Sequence, residues 1–144
     1  MPGKGAHQTA TLLLAGAVYQ GAGILGASPR DQLLVCSGVI TGLAITPDHD
    51  LAENFSREPF WFLYGYAFKH RGISHWPVIG TMTRAVYLAL LVVPLFVAWG
   101  RWDLVVWFGQ SKWLPIWLAG LMAADALHWG LDLTVSKFKG WIRE

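Results

Sequence analysis

Four apolar blocks set the frame of this chain: residues 10–27, 32–47, 78–99 and 113–132. Each predicts a helix. Together they predict an all-α, membrane-embedded bundle of about four helices, as one domain over residues 1–144. A helix needs about 20 apolar residues to cross a bilayer. Block 78–99 meets this best, although Pro94 interrupts it and Arg84 lies near its start. Block 32–47 is short. It must begin near Ala27, sit beside a thinned bilayer, or be a buried helix. Block 10–27 carries Gly16, Gly21, Gly23 and Gly26, with Thr9 as its expected N-cap. So many glycines weaken a helix in water, but small residues let helices approach closely in lipid. Ser28 to Asp31 and Gly100 to Asp103 predict turns, and residues 104–112 an interfacial piece.

Between the second and third blocks lies one long polar connection, residues 48–77. Inside it, Phe55 to Phe68 is dense in aromatics, including Trp61, Tyr64 and Tyr66. That density predicts a segment at the membrane interface rather than a disordered loop.

Composition agrees with a membrane setting. The chain is 54% hydrophobic and 14% charged, with nine Trp, a residue enriched at bilayer interfaces. A net charge of +2, without a basic, aromatic-interleaved cluster, gives no support for a nucleic-acid partner, and none is expected. The single cysteine, Cys36, excludes an internal disulfide and a Cys-rich zinc site. Lys4 and the apolar run from Ala10 imitate a secretory signal, but residues 10–27 are expected to stay in the mature protein.

Most polar chemistry falls where the blocks end. His7 precedes the first; Pro47-Asp48-His49-Asp50 closes the second. Lys69-His70-Arg71-Gly72-Ile73-Ser74-His75 precedes the third, and Asp125, His128 and Asp132 lie late in the fourth. With up-down topology all of these reach one membrane face. Lys4, Arg57, Lys69, Arg71, Lys137, Lys139 and Arg143 share that face, against Arg30, Arg101 and Lys112 opposite. The positive-inside rule makes it cytoplasmic.

Asp48 and Asp50 share a side of an extended chain, where two carboxylates repel unless a cation or proton compensates them. His128 and Asp132 are spaced i, i+4, with Asp125 one turn earlier, on one helical face. Ionisable groups at membrane depth are costly and point to function. Arg71 offers a fork of donors to a phosphate or carboxylate. Each residue also has an ordinary reading: a solvated acidic turn, surface histidines, a positive-inside anchor, a charged helix end, or a snorkelling Arg84. Their order along the chain and shared face weigh against taking all of them so. The candidate ligands are His7, Asp48, Asp50, His70, His75, Asp125, His128 and Asp132. His and carboxylate donors together suit zinc first, then manganese or iron.

The motifs Pro47-Asp48-His49-Asp50 and His70-Arg71-Gly72-Ile73-Ser74-His75 resemble those of small bacterial membrane-bound metal-dependent hydrolases. A closer resemblance is to an allied uncharacterised family of metal-binding membrane proteins. An early His (His7), the late Asp125-Ala126-Leu127-His128 with Asp132, and the stretch Ser74 to Thr81 with Arg84 and Tyr87 extend it over about residues 5–135. The resemblance implies a metal-dependent hydrolase and names no substrate. A more distant likeness to zinc phospholipase C and related nucleases, in the His/Asp pattern alone, points to phosphoester bonds.

The expected function is divalent-metal-dependent hydrolysis of an amphiphilic phosphoester at the bilayer, with membrane lipid as partner. Asp50 or Asp132 would act as general base, and Arg71 and Arg84 would hold the anion. Two alternatives remain: a non-catalytic, metal-stapled membrane protein or a small subunit of a larger complex, and a transporter, whose ligands belong at mid-membrane.

Overall fold

The computed structural model describes residues 4–46, 59–67 and 76–141. Among these residues it is all-α, with six helices: α1 (Lys4–Ile24), α2 (Pro29–Thr41), α3 (Phe62–Ala67), α4 (Pro77–Ala98), α5 (Trp102–Gln110) and α6 (Trp113–Trp141). The four apolar blocks are α1, α2, α4 and α6.

The elements differ from expectation in several places. Helix α2 ends at Thr41, so residues 42–46 of the second block are not helical, and α2 and α5 begin at Pro29 and Trp102, inside the two expected turns. Helix α1 begins at Lys4, so Thr9 is interior and not a cap. His7 consequently stands on a helix and not in a leading tail; the buried Thr11 hydroxyl donates to its carbonyl at 2.9 Å. Helix α4 continues through Pro94 to Ala98, because an exposed proline here costs one backbone hydrogen bond without ending the helix. Helix α6 runs past Asp132 to Trp141, so the late acidic/His cluster lies along the helix and not at its end.

Helices α1 and α2 form an antiparallel hairpin. Gly26 (φ 81°) supplies the left-handed residue that commonly closes a helix. Ser28 then caps α2: its Oγ accepts from the Asp31 amide at 3.2 Å and donates to the Asp31 carboxylate at 2.8 Å. Pro29 follows at the first helical position, where its missing N–H costs nothing. The core joins the hairpin to α6 through Ala15, Val39 and Ala124, with Leu14, Val18, Cys36 and Ala123 packed against them.

Helices α2 and α6 run parallel and touch backbone to backbone. A Cβ on Gly38 would lie 2.1 Å from the Trp117 carbonyl oxygen, and one on Gly120 2.0 Å from that of Val35. One turn on, a Cβ on Gly42 would meet Ala124 at 2.5 Å. Gly38/Gly42 and Gly120/Ala124 are thus two facing pairs of small residues at spacing four, the pattern that brings helices close in membranes. Close approach therefore falls to these positions. Gly16 and Gly21 of α1 have nothing within 4 Å of a Cβ position.

Helix α4 is largely uncovered. Val78, Val86, Leu90, Val92, Leu95 and Val97 are exposed around it. At 1.5 Å per residue it is about 33 Å long. Helices α4 and α6 (over Trp113–Ser136) are long and apolar enough to cross a membrane; α2, with 13 residues, reaches only about 20 Å. The aromatic segment leans on α4. Tyr64, fully buried, shares a 3.0 Å hydrogen bond with Thr83, while Tyr87 donates to the Phe60 carbonyl and stacks with Trp61 at 5.7 Å. Of Trp61, Tyr64 and Tyr66, only Tyr66 projects freely, at 87% exposed.

Candidate metal centre

Helix direction builds this centre. Because α1 descends beside α6, its first turn reaches the second half of α6. His7 and His128 stack there with ring centroids 4.0 Å apart. Asp132, one turn beyond His128, gives one oxygen to each ring: Oδ1 lies 3.4 Å from His7 Nε2 and Oδ2 lies 3.7 Å from His128 Nε2. The three side chains are 8–14% exposed, enough to exclude bulk water without sealing the cluster.

One donor atom from each of His7, His128 and Asp132 lies within 4.8 Å of the other two. Ligands about 2.0–2.2 Å from a tetrahedral zinc sit roughly 3.3–3.6 Å from each other, so the spacing fits a first-row divalent cation with small adjustment. Asp132 Oδ1 is buried and accepts no hydrogen bond. A carboxylate oxygen left in that state is costly unless something cationic meets it. His7, His128 and Asp132 could therefore hold a metal.

Asp125 lies one turn earlier on the same side of α6, but its carboxylate is engaged by α4. Its Oδ2 accepts from both Arg84 and Thr81 of α4. Arg84, Thr81 and Asp125 are all at most 1% exposed, which makes a buried ion pair braced by a hydroxyl. The sequence reading offers Asp125 as a ligand and Arg84 as an anion clamp; the structure joins these two to each other. It assigns no role to Thr81, although its spacing from Arg84, i and i+3, puts both on one face.

Asp48, Asp50, His70, Arg71 and His75 lie outside the described residues. The described helices on either side of them, α2 and α4, both meet α6. The end of α2 abuts Ala124 through Gly42, and the start of α4 reaches Asp125 through Thr81. Each contact is within one to two turns of His128 along α6.

A family model described as uncharacterized metal-binding protein (DUF2227) matches residues 2–142. No curated protein and no solved structure matches the chain. With nearly its whole length matched, and a His/His/Asp cluster assembled from its first and last helices, this chain belongs to that uncharacterized metal-binding family.

Proposed function

We propose that this protein is an integral membrane, divalent-metal-dependent hydrolase acting on a phosphoester of an amphiphilic substrate at the cytoplasmic face. The observation that carries the reading is the triad His7, His128 and Asp132. Among the described residues the centre offers three protein ligands, the number of a catalytic zinc site, whereas a structural one closes with four. Zinc suits the donors best, with manganese or iron next.

The membrane part draws on α4. Trp76 and Trp99 flank it, 57% and 79% exposed, as interfacial tryptophans do. A buried Arg84–Asp125 pair joining the two candidate spans is what ionisable groups within a bilayer require. The Phe60 carbonyl is satisfied by Tyr87, about 15 Å along α4 from Pro77. Non-helical backbone at membrane depth needs such partners. Residues 59–67 would then dip beneath the surface and place Tyr66 and Leu63 against lipid.

A bound divalent cation would supply Lewis acidity and an acidified water at neutral pH. In this chain Asp50 would take the proton from that water and Arg71 would hold the substrate's anionic group. Asp48, His70 and His75 are too many for the same site and would hold a second divalent cation beside it. Arg84 would keep Asp125 neutralised below the triad.

A second reading, a metal staple without catalysis or a small subunit of a larger complex, is favoured by one fact: Arg84 is spent on Asp125, which leaves Arg71 to clamp an anion. Metal analysis of detergent-purified protein beside His128→Ala tests the centre. A screen of lipid and nucleotide phosphoesters, with zinc or manganese and an Asp48→Asn control, tests the chemistry. Equal metal in both proteins would refute the triad. No turnover, with Asp48→Asn lowering Tm as far as metal removal, would establish the staple.

A further inference from the structure

The opposite end of the molecule holds a second constellation. At the corner between α5 and α6, Trp107, Gln110, Ser111, Lys112 and Trp113 line a cavity of about 340 Å³. Trp107 and Trp113 meet edge to face at 5.0 Å. Arg30, from the start of α2, lays its guanidinium over the Trp113 ring at 3.9 Å. One corner thus gathers two cations and two indoles from three helices.

Its donors are unspent. Neither Arg30 nor Lys112 makes an ion pair among the described residues. Arg101, at the same end, differs: Asp103 binds it through two 3.1 Å hydrogen bonds. Trp113 Nε1 is buried and makes no hydrogen bond. Ser111 Oγ is committed to the Phe108 carbonyl, so Arg30, Lys112, Gln110 and Trp113 Nε1 are the groups that can donate. The outer wall is greasy: Trp102, Trp107 and Phe108 are 52–57% exposed.

We propose that this corner binds the phosphodiester headgroup of an anionic membrane lipid, with the acyl chains running along α5. Charge complementarity and the aromatic wall select that occupant: the cations and the indole N–H meet the phosphate, and tryptophan suits the headgroup level of a bilayer. The inference rests on the membrane placement proposed above, and not on the metal centre.

Detergent-purified protein is titrated with phosphatidylglycerol, phosphatidylcholine and free glycerol phosphate, with Tm and tryptophan fluorescence as readouts. Phosphatidylglycerol should raise Tm and perturb the indole signal; phosphatidylcholine and glycerol phosphate should do neither at equal concentration. The double variant Arg30→Gln/Lys112→Gln should bind phosphatidylglycerol about tenfold more weakly. Trp113→Phe, which keeps a ring but loses the N–H, should bind more weakly than wild type. Arg101→Gln, a charge loss outside the cavity, should keep the preference. Equal response to both lipids, or an Arg101→Gln loss as large as the double variant's, overturns the proposal. Glycerol phosphate competing as well as lipid makes it a free-phosphate site and overturns the lipid assignment. Carbonate release of the protein from membranes overturns the membrane reading and this proposal together; retention without lipid preference overturns this proposal alone.

Discussion

Helix α6 is held on its two sides by opposite means. Toward α2 the contact is made of small groups: Gly38 and Gly120 each face a carbonyl of the other helix, the backbones meet, and Val39 and Ala124 pack beside them. Toward α4, in contrast, the described polar contact is a single buried node, Arg84 and Thr81 on Asp125, and much of α4's apolar surface is left for other company. The α2 side is intolerant of volume and the α4 side of unbalanced charge. With one small core among the described residues, such concentrated devices secure the long helices.

The largest effect should come from breaking the charge side. Arg84→Met leaves Asp125 buried without its cation and should cost about 3–5 kcal/mol, read as loss of Tm in detergent. Arg84→Met/Asp125→Leu should recover most of it. If the double variant is no better than the single, the node is not a matched pair and the contrast fails.

Volume should break the other side. Gly38→Ala or Gly120→Ala puts a methyl group into a backbone carbonyl that no rotamer change can clear. The expected cost is about 3 kcal/mol, at the upper end for overpacking. Gly16→Ala, with open space at its Cβ, should be neutral or stabilising through helix propensity. Equal melting of Gly38→Ala and Gly16→Ala would remove the steric account.

Metal sharpens the comparison, because the triad clasps α1 to α6 on the α2 side. At a hundredfold excess over Kd, bound zinc should add about 2.7 kcal/mol. Chelation should remove that from wild type and nothing from His128→Ala. It should also expose Cys36, packed on the α1/α2/α6 core, to thiol reagents while Arg84→Met behaves additively. Non-additivity would mean that the node and the triad act as one unit.

The smallest effect belongs to an ion pair on neither side. The hydrogen bond from Arg101 holds the fully exposed Asp103 carboxyl below the usual carboxylate range. A depressed carboxyl contributes stability above its unfolded pKa and loses it as pH falls through the folded value. Solvent screens this pair. Arg101→Gln should leave Tm unchanged at neutral pH, and acid should not separate variant from wild type. A clear difference would show that the α4–α5 turn bears load.

Hydropathy made four helices legible, because each apolar block holds one, although the second block outruns its helix, which ends at Thr41. The distribution of His and Asp made His7, His128 and Asp132 legible as candidates, since i, i+4 spacing and block ends place them together. Two features were not legible. The partner of Asp125 depends on which face of α4 turns toward α6, and a nearly all-apolar helix has no periodicity to report that. The close crossing was misplaced: glycine is abundant in α1, but approach is decided by what lies opposite, and among the described residues it is Gly38 and Gly120 that face another helix's backbone. Helix ends were the third difficulty. Thr9 has a capping side chain, yet the polar residues before it are helical too.

The parallel course of α2 and α6 has a consequence for how the protein is made. Parallel neighbours cannot zip up as a hairpin, and the whole middle of the chain separates these two. During synthesis the α1–α2 hairpin emerges first, with the glycine groove of α2 empty and His7 without His128 or Asp132. Long-range contacts of this kind form late. Docking of α6 fills the groove and assembles the three donors in one event. Products that end before α6 lack the three donors together, and cation capture by this triad can only follow the arrival of α6.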